Sequence, residues 1–321
     1  MIYVLFLAGF VFVIKGADFL VEGSSSIAKR FNIPELIIGL TIVSFGTSMP
    51  ELIVNIMASF NGSSELAIGN IFGSNIANVL LILGVAAIVR PLPIQRSIYF
   101  TEIPLSLLAT FMVGFLANAN LFSTDRQLKL SRFDGGMLLF FFALFMGYIY
   151  VVSRSKRQNP AGQESDEIKI FSVKKSVLYV VIGMIGLFLG GNWVVEGAIY
   201  LADIFGMSET LIGLTVVAIG TSLPELVTSA MAAYKNRADL AVGNAIGSNI
   251  FNLLWILGLS AVIRPLPFAI VTNMDILMVI VASTLLIMAV IIGPKPRVDR
   301  WEGWVFILTY IAYTTYLIMR G

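Results

Sequence analysis

Two glutamates lie inside apolar stretches of this sequence, where a charged side chain is costly. Glu51 and Glu225 each end a Gly-Thr-Ser-X-Pro-Glu motif, at 46–51 and 220–225. A carboxylate in the middle of a hydrocarbon layer costs roughly 2.5 to 3.5 kcal/mol even on a lenient insertion scale, so a partner must offset it. The same motifs supply hydroxyl groups beside the glutamates, on Thr47, Ser48, Thr221 and Ser222.

The proline of each motif predicts a helix that breaks within the membrane. Pro50 and Pro224 lack a backbone N–H and clash with the carbonyl four residues back. We therefore expect carbonyls near Ser44 and Ala218 to lose their helical partners and to be available to a cation.

A structural alternative is that each motif only restarts a helix. Ser48-x-x-Glu51 and Ser222-x-x-Glu225 have the spacing of a capping box, in which serine and glutamate satisfy the first backbone N–H groups. A neutral glutamine would cap with a smaller desolvation cost. Capping alone is therefore the less favoured interpretation, and the two roles can coexist, with the carboxylates facing the cavity and the hydroxyls divided between cap and ion.

A second polar cluster follows each motif within the next apolar stretch. It consists of Asn70, Ser74, Asn75 and Asn78 in the first half, and of Asn244, Ser248, Asn249 and Asn252 in the second. Residues four apart share a helix face, which places Ser74 with Asn78 and Ser248 with Asn252. We interpret the remaining four asparagines as groups that pack neighbouring helices together through amide hydrogen bonds.

Carboxylates, hydroxyls, amides and carbonyls form an all-oxygen set of ligands. Such a set suits hard cations such as Ca²⁺ and Na⁺, and it lacks the sulfur and nitrogen donors that transition metals prefer. Two glutamates neutralise one divalent ion. Two bare carboxylates facing each other in a low dielectric would disfavour the empty site, which favours exchange of ions over leak.

The composition excludes most other classes of function. The chain is 58% hydrophobic and 12% charged, with a net charge of +2, which indicates a membrane protein and argues against nucleic acid as a partner. It has no Cys and no His, so thiol or imidazole catalysis and thiolate metal sites are excluded. We expect no enzyme activity and no cofactor.

Ten apolar stretches are long enough to cross a membrane as helices. They cover 2–26, 33–59, 66–89, 98–118, 134–152, 176–201, 208–233, 240–263, 270–292 and 302–319. The first is interpreted as a retained helix, because no basic residue precedes its apolar run. If the first loop is cytoplasmic, 15 of the 21 basic residues lie in cytoplasmic loops, which predicts that both termini are extracellular.

The two halves of the chain are copies of each other. A shift of 174 residues superposes 16–93 on 190–267 without a gap, and it aligns the motif regions 38–84 and 212–258. We divide the chain into a first five-helix repeat at 1–152, a cytoplasmic linker at 153–175 and a second repeat at 176–321. Five spans per copy predict an all-α membrane protein of two inverted repeats, with broken helices that meet at the midplane.

These motifs resemble the two alpha-repeats of the calcium/cation antiporter superfamily, in its sodium/calcium exchanger branch. GTSMPEL with GNIFGSNIANVL, and GTSLPEL with GNAIGSNIFNLL, carry the likeness. The resemblance implies that the first and sixth spans slide across the rest of the bundle. It also implies cation ligands at Thr47, Ser48, Glu51, Ser74, Asn78, Thr221, Ser222, Glu225, Ser248 and Asn252, with backbone oxygens of Ser44 and Ala218.

One departure from the family pattern concerns Asn252. Many exchangers of this branch, the potassium-dependent ones above all, have Asp at this position, so the asparagine argues against potassium co-transport. The linker at 153–175 is too short for the regulatory domain of animal exchangers. A prokaryotic plasma membrane is therefore the expected location.

The leading functional hypothesis is an antiporter that extrudes Ca²⁺ with the inward Na⁺ gradient. A Ca²⁺/H⁺ antiporter is the alternative, because apolar surroundings favour a protonated carboxyl group. A passive cation channel is a weaker alternative, since it gives no reason for duplicated broken helices in opposite orientations. No oligomer is required by this mechanism.

A few further acids lie toward the ends of the first and sixth spans. Asp18 and Glu22 have Asn192 and Glu196 at the matching positions of the second copy. We interpret these residues as interfacial or as lining a vestibule, and a role in ion access is the alternative.

Overall fold

The computed structural model describes residues 2–122, 127–158, 168–205, 218–292 and 296–320, and nearly all of them are helical. The α-helices of the first half are α1 (Ile2–Phe31), α2 (Glu35–Ile38), α3 (Ser44–Thr47), α4 (Met49–Asn61), α5 (Ser64–Ala77), α6 (Leu83–Val89), α7 (Ile103–Asn118) and α8 (Arg132–Gln158). Those of the second half are α9 (Val173–Ile204), α10 (Ala218–Thr221), α11 (Leu223–Tyr234), α12 (Ala238–Ile250), α13 (Leu257–Ile263), α14 (Asn273–Ile292) and α15 (Arg300–Arg320).

Short π-helical turns connect several of these helices into longer rods. They lie at Gly39–Val43, Asn78–Ile82, Ile98–Glu102 and Phe251–Ile256. Four two-residue strands lie in loops: β1 (Leu92–Pro93), β2 (Lys129–Leu130), β3 (Leu266–Pro267) and β4 (Arg297–Val298).

The protein is a multi-pass membrane protein. Seven helical rods of the described residues are long and apolar enough to span a bilayer. An eighth span is the bent pair formed by Glu35–Thr47 and Met49–Asn61, which meet at an angle of 49°. The predicted all-α membrane fold with a broken second span is therefore confirmed.

Two of the ten predicted spans are not confirmed as complete membrane-spanning helices. The seventh, 208–233, is described only from Ala218 onward, and its first part lies outside the described residues. The tenth corresponds to α15, which is helical but is absent from the rods that pass the apolarity test. Its tyrosines and threonines at 309–316 lower its mean hydropathy. The count of ten spans stays a prediction.

The two copies have matching elements in opposite orientations. α4 begins at Met49 and α11 at Leu223, while β1 and β3 occupy equivalent positions, each at the shift of 174 residues found in the sequence. α1 and α9, the first helices of the copies, run antiparallel, because Gly9 approaches Gly190 while Gly23 approaches Ser176.

The interface between α1 and α9 is lined by glycines. Cβ atoms added at Gly9, Gly16 and Gly23 would come within 3.0 Å of backbone atoms of α9. Gly183 and Gly190 are equally close to the backbone of α1. Small residues of this kind let two membrane helices approach closely, and α1 and α9 therefore form one tightly packed pair.

The strand pairs define two faces of the bundle. β1 pairs antiparallel with β4, and β2 with β3. We name the end that carries β1, β4 and the loop 235–237 the Lys235 face; there Gln95 donates to Asp239. The opposite end, with β2 and β3, is the Arg264 face; there Asn118 and Asn273 exchange amide hydrogen bonds of 2.7 and 2.9 Å.

Two buried acids outside the motifs have structural partners. Tyr148 donates to Glu102 at 3.1 Å, and Tyr313 donates to Asp275 at 2.8 Å. Each pair joins the fourth span of a copy to its last helix. The sequence patterns did not single out these acids, and the hydrogen bonds show how their burial is partly offset.

Candidate functional site

Each polar motif lies where one helix ends and another begins. Ser48 precedes α4 and Ser222 precedes α11, and a proline follows at the second position of both helices. Proline suits this place because the backbone N–H groups in the first turn of a helix have no carbonyl partner within the helix, so a missing N–H costs no helical hydrogen bond. The serine and glutamate of a motif are therefore separated by one turn at the start of a half-helix.

The expected free carbonyl at Ser44 is wrong. The oxygen of Ser44 accepts from the backbone N–H of Ser48 at 2.9 Å, and from Thr47 Oγ1 at 3.4 Å. The missing N–H of Pro50 would have bonded four residues back, at Gly46, so the proline leaves Ser44 untouched. Ala218 begins α10, and only its backbone is described.

Four side chains of the two motifs form two reciprocal serine–glutamate pairs between the copies, and we name these four residues the ring. Ser48 Oγ donates to Glu225 Oε1 at 3.0 Å, and Ser222 Oγ donates to Glu51 Oε1 at 3.4 Å. Each glutamate thus accepts from the serine of the opposite copy. All four residues are at most 2% exposed, so the two motifs meet inside the bundle.

The serines of the second polar cluster extend this ring. Ser248 Oγ lies 3.0 Å from Ser48 Oγ, and Ser74 Oγ lies 3.3 Å from Ser222 Oγ. As with the glutamates, each contact joins a residue of one copy to a residue of the other. The α5 and α12 helices therefore face the restarted half-helices of the opposite copy.

Four buried oxygen atoms around this ring have no hydrogen-bond donor. They are Glu51 Oε2, Glu225 Oε2, Asn78 Oδ1 and Asn252 Oδ1. A buried acceptor left unsatisfied costs about 1 to 3 kcal/mol, and more when it is charged. A positive ion would offset that cost at all four atoms.

Two further asparagines orient the amides of Asn78 and Asn252. Asn78 Nδ2 donates to Asn249 Oδ1 at 2.9 Å, and Asn252 Nδ2 donates to Asn75 Oδ1 at 3.0 Å. Because each amide nitrogen is held, its oxygen is the atom that remains free. Asn75 and Asn249 were predicted to join neighbouring helices, and they do; their orienting contact was not predicted, although their presence in both copies was a signal for it.

The motif threonines are held by the remaining pair of asparagines. Thr47 Oγ1 donates to Asn244 Oδ1 at 3.1 Å, and Thr221 Oγ1 donates to Asn70 Oδ1 at 3.5 Å. Thr47 is fully buried, whereas Thr221 is partly exposed. The two copies thus make the same threonine–asparagine contact, but the threonine is more exposed in the second copy than in the first.

The capping alternative does not describe this geometry. Ser48 and Ser222 occupy the N-cap positions of α4 and α11, yet neither side chain accepts a backbone N–H there. Both hydroxyls donate to glutamates of the other copy instead. The motifs therefore do more than restart a helix.

The candidate ligand atoms of this arrangement are all oxygens. Within the described ranges, no group of three or more His, Cys, Asp or Glu side chains lies close together. A cation in this place would contact two carboxylates together with neutral hydroxyl and amide oxygens, the ligand type that hard cations take.

Asp18 and Glu22 lie on the Lys235 face of the bundle, apart from the ring. Both form ion pairs with Lys235, and the Glu22 contact measures 3.0 Å. Their counterparts Asn192 and Glu196 are exposed. This placement agrees with the interpretation of these residues as vestibule residues.

Comparison with known families identifies a match over most of the chain. The family described as sodium/calcium exchanger protein matches residues 1–151 and 175–319. The two matched segments leave out only the region between the repeats and the last residues.

Two relatives match along nearly their whole length. The putative antiporter CaxA of Alkalimonas amylolytica is 37% identical over 96% of this chain and 95% of its own. The sodium/calcium exchanger MaX1 of Methanosarcina acetivorans is 33% identical over 98% of each chain.

A solved structure shares the fold. The sodium-calcium exchanger NCX_Mj, soaked with zero Na⁺ and Ca²⁺, superposes with a TM-score of 0.81 at 32% identity, covering 98% of each chain. The similarity thus extends from sequence to three-dimensional structure over both repeats.

Proposed function

This chain belongs to the sodium/calcium exchanger family, and from that premise we propose that it exchanges Na⁺ for Ca²⁺ by alternating access. The family consists of membrane transporters, and inverted repeats with broken helices are the architecture of such transporters. The observation that carries the proposal is the serine–glutamate ring with four buried oxygens that lack donors.

The ions bind within the ring and its extension to α5 and α12. The proposed side-chain ligands are Glu51, Glu225, Thr47, Ser48, Thr221, Ser222, Ser74, Asn78, Ser248 and Asn252. Backbone oxygens of Ser44 and Ala218 complete the set; the hydrogen bonds at Ser44 do not exclude it, because a carbonyl has two lone pairs.

Exchange follows from the charge of the site. Two carboxylates share a low-dielectric interior, and their mutual repulsion is strongest when the site is empty. Ca²⁺ neutralises both, as do two Na⁺ ions. The reorientation of the site is therefore coupled to occupancy, and the empty carrier seldom returns.

The moving part is the α1 and α9 pair. Its glycine-lined interface supports movement as one unit, because the two helices pack on each other along most of their length. Sliding of this pair across the remaining helices opens the site to one face and then to the other.

We place the Lys235 face in the cytoplasm of the cell, with both termini outside. The distribution of Lys and Arg among the loops supports this orientation. With Na⁺ more concentrated outside, such a protein in the plasma membrane extrudes Ca²⁺.

Purified protein in proteoliposomes tests the proposal. Vesicles loaded with Na⁺ and diluted into Na⁺-free medium at fixed pH should accumulate ⁴⁵Ca²⁺, because outward Na⁺ movement drives Ca²⁺ inward. Vesicles with equal Na⁺ on both sides are the control. Absence of uptake under a Na⁺ gradient would refute Na⁺ coupling.

Two further arms separate the alternatives. Uptake driven by a pH gradient, and unaffected by Na⁺, would identify a Ca²⁺/H⁺ antiporter that uses the same glutamates. Ca²⁺ current far faster than carrier turnover, with no need for a counter-ion, would identify a channel.

A further inference from the structure

We propose that Lys235 is a positioning residue: it fastens α1 to the end of α11 and so holds the site closed on the Lys235 face. The inference rests on the alternating-access function proposed above. We also infer that the described residues of the Arg264 face make no equivalent ion pair, so the two directions of opening are unequal.

The contact is an ammonium group shared by two carboxylates. Lys235 Nζ pairs with Asp18 and with Glu22, which lie one turn apart on α1. The three side chains are 22%, 27% and 34% exposed. Ion pairs that are partly withdrawn from water are screened less by salt than fully exposed ones.

A second cation of the same loop supports the first. Arg237 Nε lies 3.8 Å from Glu35 Oε1 at the start of α2. The short loop after α11 therefore contacts both α1 and the first half of the broken span. We name Lys235, Arg237 and their three acidic partners the latch.

The repeat makes the latch one-sided. A shift of 174 residues places Asn61 at the position of Lys235 and Ser63 at that of Arg237. The acids persist: Glu196 matches Glu22, and Glu209, which lies outside the described residues, matches Glu35. The second copy thus keeps acids at the matching positions, whereas the loop of the first copy that corresponds to 235–237 has no cation.

The two loops have the same turn geometry. Gly62 and Asn236 occupy equivalent positions and both have left-handed backbones, with φ of 79° and 61°. Asn61 and Lys235 therefore enter the turn in the same way. A cation introduced at position 61 would therefore lie on the Arg264 face at the position that corresponds to that of Lys235 on the Lys235 face.

The packing of the two faces differs in the direction that the latch predicts. Ser25, beside Lys235 and Arg237 in a cavity of about 230 Å³, is 3% exposed. Its repeat counterpart Ile199 is partly exposed. α1 packs along α11, whereas α9 makes few contacts with α4 among the described residues.

Thiol labelling measures this difference directly, because the chain has no cysteine. Ser25→Cys reports on the Lys235 face and Ile199→Cys on the Arg264 face, each introduced separately into full-length protein in nanodiscs. In the background Lys235→Gln, a maleimide should label position 25 about three- to tenfold faster and position 199 more slowly, as one face opens at the expense of the other. Lys235→Arg should restore both rates.

The mirror experiment places cations in the other loop. Asn61→Lys with Ser63→Arg should slow labelling at position 199 and speed it at position 25, because Glu196 gains a partner on the Arg264 face. The neutral substitutions Asn61→Gln and Ser63→Thr are the matched control and should change neither rate.

Folding is checked by a symmetric elution peak and an unchanged melting temperature. If Lys235→Gln fails this check, Asp18→Asn with Glu22→Gln removes the same ion pairs and should give the same shift. Unchanged labelling at both positions in a folded variant would overturn the latch. That result would leave Na⁺-driven uptake by the unsubstituted chain intact, whereas failure of the proposed function would abolish that uptake.

Discussion

The two repeats are alike at their centre and different at their flanks. Around the ring, the serine–glutamate bonds and the amide bonds of Asn78 and Asn252 recur in both copies. Away from the ring, the described residues pack more closely at the Lys235 face, around Ser25 and Gly243, than at the Arg264 face, around Gly69 and Ile199. The motif side chains are therefore paired by the symmetry of the repeat, whereas the packing of each face is set by the surrounding helices.

The glycines of α5 and α12 show this contrast most directly. A Cβ added to Gly243 would lie 2.7 Å from the oxygen of Leu36 and 3.1 Å from Cα of Gly39. At the equivalent Gly69, no described atom lies within 4 Å, and the residue is exposed. Gly213, the counterpart of Gly39, lies outside the described residues.

Substitution of the two glutamates should have the greatest effect, and it tests whether Glu51 and Glu225 play equivalent parts in the ring. Glu51→Gln and Glu225→Gln should each lower Ca²⁺ transport at least about 100-fold, because removal of one carboxylate leaves a divalent ion half neutralised in a low dielectric. ⁴⁵Ca²⁺ uptake measures the loss, and the melting temperature should change little because the amide keeps the shape. Near-normal exchange in either variant would show that the glutamate is not a ligand.

A smaller effect tests the contrast between the flanks. Gly243→Ala should destabilise the protein by about 1 to 3 kcal/mol, because the added methyl group meets backbone that has no space to yield. Gly69→Ala, the matched control, should lie within about 0.5 kcal/mol of the unsubstituted protein. Denaturation in detergent gives both values, and equal destabilisation would contradict the packing difference.

The smallest effect concerns ion preference. Asn252→Asp should raise the preference for Ca²⁺ over Na⁺ about three- to tenfold, because an added negative charge attracts a divalent ion more than a monovalent one. Asn78→Asp should act in the same direction, since the two amides are equivalent across the repeat. Competition between Na⁺ and ⁴⁵Ca²⁺ measures the ratio, and an unchanged ratio in a folded variant would remove that position from the proposed ligands.

The repeat allowed most of the fold and of the ring to be predicted from sequence. The duplicated Gly-Thr-Ser-X-Pro-Glu motifs located the start of each half-helix, α4 and α11, and their inversion brought the two motifs together inside the bundle. The sharing of serines between copies was not predictable, because spacing within one helix says nothing about which helix lies opposite. Helix packing decides that contact.

The expectation that proved wrong concerns a single backbone group. The carbonyl of Ser44 keeps its helical bond, because the chain continues as a helix up to Ser48 and bends only there. The asymmetry of the flanks has a sequence counterpart, because Asn61 and Ser63 stand where the other copy has Lys235 and Arg237. Its effect was not predicted, since spacing along the chain does not show which helices these side chains meet.

The π-helical turns at Asn78–Ile82 and Phe251–Ile256 have a consequence for how the third and eighth spans face their neighbours. A turn that accommodates one residue more than an α-helical turn rotates the next helical segment by about 100° relative to an unbroken helix. Each rod can therefore direct its polar half toward the ions and its apolar half, α6 or α13, toward a different neighbour. The rotation at the π-helical turn, rather than the amino-acid composition, therefore sets the direction in which the polar and the apolar segment of each rod face.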